Sequence, residues 1–212
     1  MPLNRKRNTM SRSYGTTKQS VLARRRMKRS RSGERIIPRV ISRRPRAGDI
    51  HPMGRSLILR LLRQIPEKYI YGLARVELRA RAGEIGKPFG LYQPRDKAIY
   101  LYSLPTTWHL PSIGKGLLAS LQQYYAQIEQ KENEVIVHWP CEPILMLWFF
   151  LEIFAHELGH HCRNQYRSKR KISLRRLDKE LVANLHARRI KELVFAAVEK
   201  KLHEQQESEP DK

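Results

Sequence analysis

Positive charge is concentrated at one end of this 212-residue chain, and that limits where a folded core can form. Residues 1–47 carry 16 Lys and Arg against one acid, Glu34, for a net charge of +15. The other 165 residues carry the remaining +7. The basic segment has Tyr14 as its one aromatic residue and no helical apolar period. With little apolar surface to bury, it cannot offset the entropy of ordering, so residues 1–47 are expected to be an intrinsically disordered arm. Pro38, Pro45 and Ala47-Gly48-Asp49 mark the way into a folded domain expected over 48–203, followed by a polar tail over 204–212.

Other features narrow the class. Two cysteines, Cys141 and Cys162, cannot build a disulfide framework and suit a reducing, intracellular compartment, cytoplasmic or nucleoid. The N-terminus has no apolar stretch of the secretory kind. The most apolar run, from Pro143 to Ala155, is too short to cross a bilayer and is broken by Glu152, so no membrane role is expected.

Periodicity sketches the elements. A helix is expected from Ser56 to Pro66, and a short one over Glu67–Gly72. Val76–Arg79 reads as a strand. Gly90–Tyr92, Pro94-Arg95-Asp96 and Ala98–Tyr102 read as a hairpin. An amphipathic helix is expected over Leu117–Ile128, a strand over Glu134–Trp139, a helix over Ile144–Cys162, and one or two helices from Leu174 to about His203. The layout is α+β, with one short sheet lying against helices.

The last third carries His156-Glu157-Leu158-Gly159-His160. On a helix, residues four apart share a face, so both imidazoles can grip one metal ion, and Glu157 lies at the edge of that face. A catalytic zinc takes three protein ligands and keeps one position for water. An arrangement with a glycine three residues and a histidine six residues after the second histidine is excluded, because those positions are Arg163 and Tyr166. The better candidate for the third ligand is Glu180, on the next helix. Packed antiparallel to the motif helix, that helix would also bring in Asn184, whose side-chain carbonyl can fix the tautomer of a liganding histidine.

His156-Glu157-x-x-His160 with Glu180-x-x-Ala183-Asn184 resembles the gluzincin metallopeptidases. More narrowly, it is similar to the ImmA/IrrE-type peptidases. The resemblance implies a small zincin-like domain and one zinc ion per chain, held by His156, His160 and Glu180. It also implies Glu157 as general base in peptide hydrolysis. Many gluzincins have aspartate where this chain has Asn184, which weakens a charged support and keeps a hydrogen bond. His186, Tyr166 and His138 are candidates for an oxyanion donor. The strand Ala98–Tyr102 is a candidate edge for an extended substrate.

Some residues invite a plainer reading. His161 points about 100° from His160 and is expected at the surface or beside the site. Cys162 is expected to be a small buried residue, and Trp108, Trp139 and Trp148 to be core. Glu77 and Glu84 are expected to be solvated.

The arm is an electrostatic footprint for a polyanion, with nucleic acid, DNA or RNA, as the expected partner. Arg24, Arg25, Arg26, Lys28, Arg29, Arg31, Arg43 and Arg44 are the candidate phosphate contacts, giving salt-sensitive, sequence-independent binding. An organellar transit peptide is the competing reading of such a segment. The expected function is a zinc endopeptidase acting on a protein substrate at or near nucleic acid. The alternative is a non-catalytic zincin-fold component of a nucleoprotein assembly, which would have no need of Glu157.

Overall fold

A computed structural model describes residues 36–81, 88–170 and 176–207, without the side chains of 166–170, 176–177 and 198–207. The folded unit begins at Ile37. It mixes helices with short sheets packed on them, in keeping with the α+β expectation. Among the described residues, no helix is long and apolar enough to cross a membrane.

The main sheet has four strands: β1 (Arg39–Ser42), β3 (Arg75–Arg79), β4 (Gly90–Gln93) and β5 (Ala98–Tyr102). A two-residue strand, β2 (Asp49–Ile50), precedes β3 in the chain and pairs with β6 (Leu104–Pro105). The order across the main sheet is β1-β3-β5-β4, with β1, β3 and β5 parallel and β4 antiparallel to β5. Side chains alternate between its faces. Val40, Val76, Leu78, Ile99 and Leu101 turn inward and are buried. Helices α1 (Arg55–Gln64) and α2 (Glu67–Ile70) sit between β1 and β3 in the chain, and Ile58, Leu61, Leu62 and Ile70 join the same core. The expected helix before Pro66 and the expected hairpin are both present.

Two corrections concern this sheet. Residues 39–42 were expected in the disordered arm, but they form β1, and the folded unit begins at Ile37, not near residue 48. The strand Ala98–Tyr102 is no edge, because β5 lies between β3 and β4, and the edges are β1 and β4.

A second sheet, ordered β7-β9-β8, consists of β7 (Thr107–Leu110), β8 (Gln127–Gln130) and β9 (Val135–His138). The first two residues of its strand β8, Gln127 and Ile128, were expected to end a helix. The preceding helix, α3 (Lys115–Gln123), stops early. Ala126 N–H donates to the Leu121 carbonyl and Tyr125 N–H to the Gln122 carbonyl, with Tyr125 at φ 58°. That is a Schellman ending with a tyrosine in the left-handed position where glycine is usual. Below this sheet Trp108 and Trp148 are fully buried and Trp139 half-buried, with ring centroids 5.2–5.5 Å apart. Such pairs add about 0.5–1.5 kcal/mol each beyond burial.

The expected Ile144–Cys162 helix is longer and not uniform. It starts as α4 (Glu142–Trp148), widens into a π-helical segment over Phe149–Phe154, and continues as α5 (Ala155–Arg170). Phe149, Phe154 and Leu158 fill the core beneath it. Glu152 in the widened segment accepts from Tyr124 Oη at 3.0 Å and from Lys191 Nζ at 2.9 Å. One 32-residue helix, α6 (Arg176–Glu207), follows and packs on α5. Its buried stripe is Ala183, Ala187, Ile190 and Val194, at the three- and four-residue steps of a helix face. Leu181 and Leu185 are exposed instead.

Candidate metal centre

The His-Glu-x-x-His segment forms the first turns of α5, directly after the π-helical segment, and Glu180 and Asn184 lie one turn apart on α6. Close helix contact brings the two pairs together. A Cβ placed on Gly159 would overlap the Ala183 carbonyl, so the backbones approach as only glycine permits. Small Ala183 is one half of the contact, and Gly159 is the other.

The resulting donor set is compact. His156 Nε2 and His160 Nε2 lie 2.9 Å apart, and Glu180 Oε2 is 3.5 Å from the first and 3.4 Å from the second. Tetrahedral zinc with bonds of about 2.0–2.1 Å would set its ligand atoms roughly 3.3 Å apart. The group His156, His160 and Glu180 could thus hold a metal ion. The donor chemistry agrees. His156 Nδ1 is 2.8 Å from Asn184 Oδ1, which only accepts, so Nδ1 donates there and Nε2 is the nitrogen turned to His160. Two imidazole nitrogens 2.9 Å apart need a proton or a cation between them. Burial and the neighbouring His156 hold His160 down at about 4, against the pull of Glu180, so it is neutral at pH 7.

Glu157 is buried beside this set and is fixed from the sheet. Its Oε2 accepts the Tyr92 N–H at 2.6 Å. Register explains why that N–H is available. Leu91 pairs with Tyr100 and Phe89 accepts from Tyr102, so Gly90 and Tyr92 turn their peptide groups away from β5, toward the open edge of β4. Gly90 lets this edge approach, since a Cβ there would lie 2.7 Å from Ile153 Cγ2 and 3.1 Å from Glu157 Cγ. Burial pushes the Glu157 carboxyl up, with Glu180 adding to the shift and His156 and the Tyr92 N–H opposing it. A carboxyl raised in this way is displaced toward its protonated form.

The other expected site residues are placed differently. His186 is half-buried on the far flank of the α6 stripe, about 120° around the helix from Glu180. Burial lowers its pKa. His138 ends β9, with Nδ1 3.3 Å from Thr107 Oγ1. The side chain of Tyr166 lies outside the described residues, as do Glu84 and the arm residues Arg24, Arg25, Arg26, Lys28, Arg29 and Arg31. His161 is not at the surface. It is buried, with Nε2 3.0 Å from the Tyr71 carbonyl and its ring edge-on to Tyr92. Cys162 is buried, its Sγ donates to the Tyr69 carbonyl at 3.3 Å, and burial pushes the thiol up to about 12.

Glu77 is also corrected. It is buried and not solvated, with Arg43, Arg75 and Arg79 all within 3.4 Å of its carboxylate. Burial pushes it up, but the hydrogen bonds and charges of Arg79 and Arg43 outweigh that and hold it at about 2. Gly159, Gly90 and the Tyr92 N–H were not singled out beforehand. Gly159 was inside the motif, but the other two depend on which strand forms the edge. No protein-family model, no curated protein and no solved structure matches this chain.

Proposed function

We propose that the chain is a zinc-dependent endopeptidase of gluzincin type, with a zincin-like arrangement around α5 and one zinc per chain held by His156, His160 and Glu180. The observation that carries this reading is the convergence of three donor atoms within 3.5 Å of one another beside a buried carboxylate. Zinc in such a site supplies a Lewis acid and lowers the pKa of water to about 7. Glu157 accepts the proton of the attacking water and delivers it to the amine nitrogen as the peptide C–N bond breaks. Asn184 holds the His156 ring in its liganding tautomer. The β4 edge beside Gly90 is where an extended protein substrate would align, the Tyr92 N–H being taken by Glu157.

The arm supplies the second half of the reading. The basic segment ahead of the folded unit, residues 1–36 with 12 Lys and Arg against Glu34, binds the phosphates of DNA or RNA and brings the hydrolytic site to proteins bound there. The test uses the full chain. Zinc is counted per chain, and casein cleavage is compared between wild type and Glu157→Gln. The expected result is about one zinc in both, with cleavage lower by about 10²–10⁴-fold in the variant. Equal cleavage by both would remove the peptidase mechanism. Zinc bound with no cleavage by either would favour a non-catalytic component of a nucleoprotein assembly.

A further inference from the structure

The outer face of the main sheet carries a cluster outside the metal centre. Strand register puts Arg39 beside Arg75, Ile41 beside Glu77 and Glu77 beside Tyr100, with Arg43 following β1 next to Arg79. Odd-numbered residues of β1 and β3 and even-numbered residues of β5 therefore share the face opposite the core. Glu77 lies at its centre with a side chain only 3% exposed. Arg43 Nε is 2.6 Å from Glu77 Oε1, Arg79 Nε is 3.2 Å from the same oxygen, and Arg79 Nη2 and Arg75 Nε lie 3.2 and 3.4 Å from Oε2.

Neutralising one carboxylate takes one arginine, and here there are three. A carboxylate offers about four acceptor sites, whereas three guanidiniums carry about fifteen N–H donors, so most donors are left for another acceptor. Tyr100 Oη takes one, from Arg75 Nη2 at 3.0 Å. Asp96 lies 3.6 Å from Arg75, so with exposed Arg39 the face sets four guanidiniums against two carboxylates. The Arg43 side chain is 67% exposed, and those of Arg75 and Arg79 about a third. At the β1 edge the surface continues into a groove of about 510 Å³ between β1 and α1, lined among others by Arg39 and Arg55.

We propose that this outer face is a binding surface for the phosphodiester backbone of nucleic acid, with buried Glu77 as the anchor that arrays Arg43, Arg75 and Arg79. The proposal rests on the nucleic-acid half of the reading above and extends it from the arm to the folded unit. Arg39 to Arg43 spans about 13 Å along β1, comparable to the axial rise of about four nucleotides of one strand. Contact is with phosphate, not with bases. The Arg79 guanidinium lies 3.6 Å over the Tyr100 ring and covers the aromatic face on which a base would stack. Glu77 acts as a positioning residue, holding the guanidiniums in place before a ligand arrives.

The experiment measures binding of the full chain to single-stranded DNA, single-stranded RNA and duplex DNA by fluorescence anisotropy across a salt series. Three variants accompany wild type: Arg39→Gln with Arg43→Gln; Glu77→Gln; and an arm variant with Arg24, Arg25, Arg26, Lys28, Arg29 and Arg31 all changed to Gln. The face pair is expected to lose about tenfold in affinity and to flatten the log–log salt slope by about 1.4–1.8. Glu77→Gln adds a positive charge, yet is expected to weaken binding, because the array loses its anchor. Tighter binding by Glu77→Gln would overturn the anchoring role. If that variant does not fold, the face pair decides, since Arg75 and Arg79 still hold Glu77 there. An unchanged affinity and slope in the face pair, with binding lost in the arm variant, would overturn this proposal and leave the arm reading standing. No binding by wild type would overturn both. The three probes separate RNA from DNA and single strand from duplex.

Discussion

Among the described residues two glutamates are buried, and their surroundings drive them in opposite directions. Glu77, on the sheet, is ringed by three arginines and held at about 2. Glu157, on the motif helix, receives one backbone N–H and no arginine or lysine among its described partners, and burial pushes it up. A buried carboxylate with surplus cations is locked in its charged form and serves as a fixed anchor. One that is under-compensated sits nearer its protonation boundary and can move a proton. The same side chain therefore does structural work on one face of the fold and is suited to chemistry on the other.

The comparison can be broken most forcefully at the glycine that closes the metal side. Gly159→Ala touches no ligand, yet it should cost about 1–3 kcal/mol in overpacking and displace Glu180 and Asn184 together. Zinc affinity should fall by at least about 100-fold, read by competition with a chromophoric chelator. Retained affinity would mean that the helices do not need this approach. A smaller effect is expected at Asn184. Its replacement by Leu should lower zinc affinity by about 10–100-fold while thermal stability hardly moves, which calorimetry with and without zinc would show.

The smallest effect lies on the sheet side and depends on pH. The folded pKa of Glu77, about 2, is below the ordinary 4.5, so its ion pairs stabilise the fold fully above 4.5, and that contribution is lost as pH falls through about 2. In a series of melts from pH 5 to pH 2, wild type should lose roughly 5 °C more than Glu77→Gln. Glu157 has the opposite sign. Its folded pKa is raised, so its ionisation costs stability as pH climbs from 4.5 through the folded value. Zinc-free Glu157→Gln should therefore gain on wild type toward neutral pH, and parallel curves would remove the contrast between the two acids.

How far the sequence revealed this depended on the range of the cause. The candidate donor set and Asn184 were legible because helix spacing is local, at four residues between His156 and His160 and between Glu180 and Asn184. The hairpin was legible because Pro94-Arg95-Asp96 announces a turn between β-branched and aromatic runs. Long-range pairing hid the rest. β1 contributes a single deeply buried side chain, Val40, and lies among arginines, so composition concealed a strand that exists only by pairing with β3. Glu77 looked solvated because two of its arginines are neighbours on its own strand and the third comes from 34 residues away. Strand order, which makes β4 the edge and puts Tyr92 over Glu157, has no local signature. The early stop of α3 depends on Tyr125 adopting a conformation that its residue type disfavours.

The contact between Gly159 and α6 has a genetic consequence. The atoms that a side chain at 159 would strike belong to the Ala183 main chain, which every residue type shares. No substitution at 183 can therefore act as a suppressor of a bulkier 159. Relief would require moving α6 as a whole, and that movement carries Glu180 and Asn184 away with it. Second-site revertants that recover stability should thus be separable from any that recover zinc, and position 159 should tolerate glycine alone wherever the metal is needed.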